Sequence, residues 1–186
     1  IDSLAENLSD CDVIDRLDDI DPRLICLVVY GQNVNAGTTS MGGAVRLAKA
    51  IKSAGIKTLI GCIGSHVQAL PEETLRRGAS IDFVCLNEGV YALRQILEQQ
   101  NIQAEALKNV SGLAVRDGDD VVFTGPPALV PQAKMDEDMP GYAWDLLPFE
   151  NEPLDLYRSP FWHAEYQSAF RSPYATIQTS IGCQFK

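Results

Sequence analysis

Basic residues are scarce relative to acids in this sequence: 15 Lys and Arg stand against 25 Asp and Glu, for a formal net charge of −10. No Lys/Arg stripe is available to meet phosphates, which excludes a general binder of nucleic acid or of an acidic membrane surface. Long apolar runs are missing as well, since none approaches the roughly 18 residues a membrane span needs. No basic-then-apolar leader opens the chain. The two histidines, His66 and His163, have no carboxylate or thiol at metal-ligand spacing, so neither predicts a zinc site. The five cysteines, at 11, 26, 62, 85 and 183, include no C-x-x-C pair of the kind found in zinc ribbons or dithiol redox motifs. There is no G-x-G-x-x-G. "GQNVNAGTT" fails as a phosphate loop, because five residues rather than four separate Gly31 from Gly37 and no Lys precedes the Thr. Nucleotide hydrolysis is not supported.

What is present is the composition of a folded globular chain, 46% hydrophobic and 22% charged over 186 residues. Free thiols in an acidic chain predict a reducing, cytoplasmic setting. Cys26, Cys62 and Cys85 each sit inside an apolar run and read as small buried hydrophobes.

The order of elements predicts an α/β fold. Ser9 can cap a helix with Val13, Ile14 and Leu17 on one face. "LICLVVY" (24–30) reads as a parallel strand covered on both faces. A loop over 31–39 then leads into a helix with the stripe Met41, Val45, Ala48 and Ile51. "TLIGCI" (58–63) is the next strand and 64–70 its exit loop; "PEETLRRG" is a helix opened by Pro71. "IDFVCL" (81–86) is a third strand, 87–89 its loop and 90–100 a helix. This alternation predicts a Rossmann- or flavodoxin-like, doubly wound parallel sheet. "SGLAVRDGDDVVFTG" then reads as a hairpin about Asp117-Gly118. From 125 to 173 prolines, acids and aromatics mix as an ordered connector, and 174–181 reads as a final strand that delivers Cys183.

Ligands of open α/β sheets bind beyond the carboxyl ends of the strands. That edge is predicted at 31–39, 64–70 and 87–89. Gly31, Gly64 and Gly89 allow close backbone approach there, while Gln32, Asn33, Asn35, Ser65, His66, Asn87 and Glu88 bring hydrogen-bonding side chains.

"IGSHVQALPEETL", "IDFVCLNEGVYAL", "SGLAVRDGDDVVFTGPP" and "TSIGCQF", in this order, resemble cobalamin-binding radical-SAM enzymes over nearly the whole chain. The resemblance implies a cobalamin-binding α/β domain over 1–108, a hairpin and connector over 109–172, and the first strand of a TIM-type barrel over 173–186. It implies that the chain is cut at both ends, with a first βα unit missing and the sheet short of a central strand. The corrin is expected across Tyr30, Gly31, Gln32, Asn33, Thr38, Gly64, Ser65, His66, Leu70, Asn87, Glu88 and Gly89, its nucleotide tail entering between strands beside Gly64. Cys183 is expected as the first thiolate of a C-x3-C-x2-C motif for a 4Fe–4S cluster that binds S-adenosylmethionine. The implied parent is an enzyme that methylates an unactivated carbon of a small-molecule substrate and draws on a reductant for its cluster; the isolated piece is expected to be inactive. Two other readings stay open: a non-catalytic, flavodoxin-like module that docks a partner, and a different α/β enzyme acting through Glu88 and His66.

Overall fold

The computed structural model describes residues 1–3, 6–30, 34–139, 141 and 143–146. The chain divides into two compact units, Asp10–Gly141 and the pair Ile1–Ser9 with Tyr142–Lys186. In the second unit the described residues include a short 3-10 turn at Trp144–Leu146. The strand predicted over 174–181 and Cys183 lie outside the described residues, as do Gly31, Gln32 and Asn33.

In the larger unit α1 (Asp10–Ile20) buries Val13 and Leu17, one turn apart, as its apolar spacing requires. β1 (Ile25–Val28) comes next, then α2 (Val34–Ser53) and β2 (Ile60–Ile63). Two short helices, α3 (Ser65–Ala69) and α4 (Pro71–Arg77), precede β3 (Phe83–Cys85). After α5 (Val90–Leu97) and α6 (Ala104–Leu107) the hairpin β4 (Leu113–Asp117) and β5 (Asp120–Phe123) completes the sheet. A 3-10 turn (Gln132–Lys134) and α7 (Met135–Asp138) end the unit's described elements.

The strands stand in the order β1-β2-β3-β4-β5. β1, β2 and β3 are parallel, with Ile25 opposite Ile60 and Gly61 opposite Phe83. β4 runs antiparallel to β3 and β5 antiparallel to β4. The hairpin, which the sequence sets apart from the α/β domain, therefore continues its sheet. Strand alternation sorts the core. Phe83, Cys85, Leu113 and Val115 face α5 and α6, where Ala92, Ile96 and Leu107 are buried with them. Arg116 points the other way and donates from Nε to the Ile81 carbonyl and from Nη2 to the Gly78 and Leu75 carbonyls, which puts α4 on the opposite face. Helices thus cover both faces, as predicted for an α/β sheet of this class.

Two expectations are corrected. The run 24–30 is not covered throughout: among the described residues β1 pairs with β2 alone, and Val28 is 69% and Tyr30 48% exposed. The stretches read as loops at 31–39 and 64–70 are largely helical, since α2 begins at Val34 and α3 fills 65–69.

Candidate functional site

The carboxyl ends of β1, β2 and β3 carry the polar residues that the sequence assigns to a ligand. Tyr30 comes after β1, Gly64 to His66 after β2, and Asn87 to Gly89 after β3. The Tyr30 phenol lies within electrostatic reach of the Gln68 side chain and the Glu88 carboxylate. Its pKa is raised above the usual 10, first by burial and then by the negative charge of Glu88, while Gln68 works in the opposite direction. Tyr30, Gln68 and Glu88, from three segments of the chain, therefore form one electrostatic group. Thr38, in the second turn of α2, meets His66 at 2.9 Å between Oγ1 and Nδ1. That bond holds the imidazole at one nitrogen and so decides what the other nitrogen can offer.

Gly64 has a local reason for lacking a side chain. Its φ is +144°, and a Cβ built there would lie 2.1 Å from the Val29 carbonyl oxygen. The turn between β2 and α3 presses against β1 so closely that only glycine fits. The packing against β1 accounts for this glycine without a nucleotide tail. Gly89, at φ +74°, is the left-handed residue before α5.

Asn87 bonds within the protein through both ends of its amide. Its Oδ1 accepts from the Gly89 amide at 2.9 Å and its Nδ2 donates to the Ala128 carbonyl at 3.0 Å. Leu70 stands apart from the polar group. It is 44% exposed and lines a surface depression of about 550 Å³ with Ala69, Pro71, Arg76 and Phe123. Gln68 is the residue that single-residue reading missed. A glutamine in a turn-like stretch carries no signal by itself, and it comes near Tyr30 only once α3 has formed.

Burial pushes the Cys26 thiol up to about 11 and the Cys62 and Cys85 thiols up to about 12. Neighbouring cysteines add smaller upward contributions for Cys62 and Cys85. These thiols are inert hydrophobes at neutral pH. Among the described residues no group of three or more His, Cys, Asp or Glu is placed to hold a metal ion. Among them no helix is long and apolar enough to cross a membrane.

Fold and site together define an open α/β domain with a polar carboxyl edge of the kind that takes a small-molecule ligand. No family model matches the chain. The chain is 26% identical, over 185 residues and its full length, to a protein of Pyrococcus horikoshii named an uncharacterized methyltransferase. It spans 35% of that protein's length. This similarity is compatible with methyl transfer.

Proposed function

We propose that this chain is the cobalamin-binding part of a longer methyl-transferring enzyme of the radical-SAM kind. The observation that carries the reading is the convergence of Tyr30, Gln68 and Glu88, with the Thr38–His66 pair, on the carboxyl edge of a parallel sheet. Similarity to part of a protein named an uncharacterized methyltransferase supports the transfer reaction.

The donor set suits the group. Corrins carry neutral amides at their rim, and such a ligand calls for side chains that both donate and accept. Ser65, Thr38, Gln68 and Tyr30 do both, His66 offers a ring nitrogen, and Glu88 accepts. When bound, cobalamin supplies methyl-carrying chemistry that side chains lack, with a 4Fe–4S cluster and S-adenosylmethionine elsewhere in the intact enzyme supplying the radical. The residues here bind and orient. Thr38 fixes the His66 ring, and Gln68 and Glu88 stand beside the Tyr30 phenol, whose phenolate is disfavoured first by burial and then by the Glu88 charge. Cys183 is proposed as a cluster ligand of the intact protein, which also draws on a reductant and a small-molecule substrate.

The test is direct. The chain is mixed with hydroxocobalamin, freed of unbound ligand by gel filtration, and read at the corrin and protein absorbances. Corrin retained at a ratio near one supports the proposal. Complete separation of corrin from well-folded protein overturns it.

A further inference from the structure

The chain beyond β5 stays in contact with one segment of the sheet before it leaves the unit. Pro127 packs over Gly112, where an added Cβ would come within 2.8 Å of the Pro127 Cα. Gly112 in turn accepts from the Leu86 amide at 2.9 Å, so this contact lies at the carboxyl end of β3. One residue on, the Ala128 carbonyl accepts from Asn87 Nδ2. Ten residues further, the carboxylate of Asp138, only 12% exposed, is gripped twice by α5. Tyr91 Oη donates to its Oδ2 at 2.7 Å and Arg94 Nη1 donates to its Oδ1 at 3.2 Å. Each of these anchors of the connector therefore lands on or beside the stretch from the end of β3 through α5. Asn87 is the residue among them whose side chain bonds both ways. Through Oδ1 it shapes the turn that carries Glu88, and through Nδ2 it holds the connector backbone.

We infer that Asn87 is a positioning residue, coupling the ligand-facing turn at Glu88 to the connector over residues 125–139. An amide is the side chain this task requires, because it accepts and donates at once. A carboxylate at the same place keeps the first bond and loses the second. Ligand at the carboxyl edge then alters the connector. The ligand here rests on the proposed function; the link between turn and connector is defined without it.

The experiment is amide exchange followed by NMR on the whole 186-residue chain, comparing wild type, Asn87→Asp and Asn87→Ala. Asn87→Asp is expected to speed exchange at Lys134 and Met139, whose amides bond within the connector, about fivefold, as the loss of one net hydrogen bond implies. The Gly89 amide keeps its protection in that variant, and the core amide of Val84 is unchanged. Asn87→Ala speeds Gly89 as well. Tyr91→Phe, which cuts the far anchor, loosens Met139 and leaves Gly89 alone, separating local release from general loss of stability. Connector exchange in Asn87→Asp equal to wild type overturns the inference. With hydroxocobalamin as probe and corrin absorbance reporting binding, protection of Met139 rises in wild type and stays flat in Asn87→Asp. Binding with no connector response in wild type overturns the coupling. Absence of binding defeats the cobalamin reading instead, and the ligand-free comparison still decides whether Asn87 makes the link.

Discussion

Gly64 and the buried cysteines show how much a single position can say. A methyl group at 64 meets the Val29 carbonyl at 2.1 Å, in a backbone region that side chains rarely adopt. Gly64→Ala is expected to lower stability by about 3 kcal/mol, combining overpacking and backbone strain, which a urea midpoint measures. The cysteines give a pH dependence. Cys26, Cys62 and Cys85 have folded-state pKa values of about 11, 12 and 12 against 9.0 for an unperturbed thiol. The folded chain holds these protons where the unfolded chain releases them, so their contribution is intact below pH 9 and is lost as pH rises from 9 toward 12. Denaturation midpoints measured from about pH 8 upward are expected to fall over that window. At about pH 8 a thiol reagent with peptide mapping is expected to find label on exposed Cys11, none on buried Cys62 and Cys85, and only slow label on half-buried Cys26 in the native protein. That Cys62 and Cys85 are core residues was legible in the sequence from the apolar runs around them, while Cys26, which reads the same way, is only half-buried. The place of Gln68 beside Tyr30 was not legible, because it depends on how segments far apart in sequence come together.

At the scale of elements, legibility tracked periodicity. β2, β3, α4 and the hairpin were readable because each carries a full apolar pattern between strong stop signals, such as Pro71 and Gly78 around α4. α3 was not, since five residues give too little length for a helical period to show. The first turns of α2 contain Asn35, Gly37, Thr38 and Thr39, a turn-like composition, yet they are helical in continuity with a later half that buries Ala48 and Ile51. β1 failed differently. Its composition is that of an interior strand, but which strands flank it is a matter of topology that composition does not encode. The tie between α4 and the hairpin also lay beyond pattern reading. Arg116 joins the end of α4, the approach to β3 and β4 through the Leu75, Gly78 and Ile81 carbonyls. Arg116→Met keeps the aliphatic stem and is expected to cost ~2 kcal/mol, as half-buried hydrogen bonds from a charged group do. Differential scanning calorimetry checks this, and an unchanged Tm would mean that these bonds add nothing to stability.

For the molecule as a whole, the sheet gives the site its form. Three parallel strands end together, and the residues beyond them gather at one edge: Tyr30 after β1, Ser65 and His66 with Gln68 after β2, and Glu88 after β3. None of these groups lies near another in sequence. The hairpin widens the sheet on the far side, and the connector comes back over β3 to meet Asn87. The central claim is that this edge holds cobalamin. The measurement that tests it most directly is a spectral titration with hydroxocobalamin of the wild-type chain beside His66→Ala and the double variant Tyr30→Phe/Gln68→Ala. One saturable site is expected in wild type and roughly tenfold weaker binding in the double variant, as the loss of about 1.4 kcal/mol of hydrogen bonding implies, with His66→Ala weakened or spectrally shifted. Saturation that is identical in all three proteins, or no saturation in any, would contradict it.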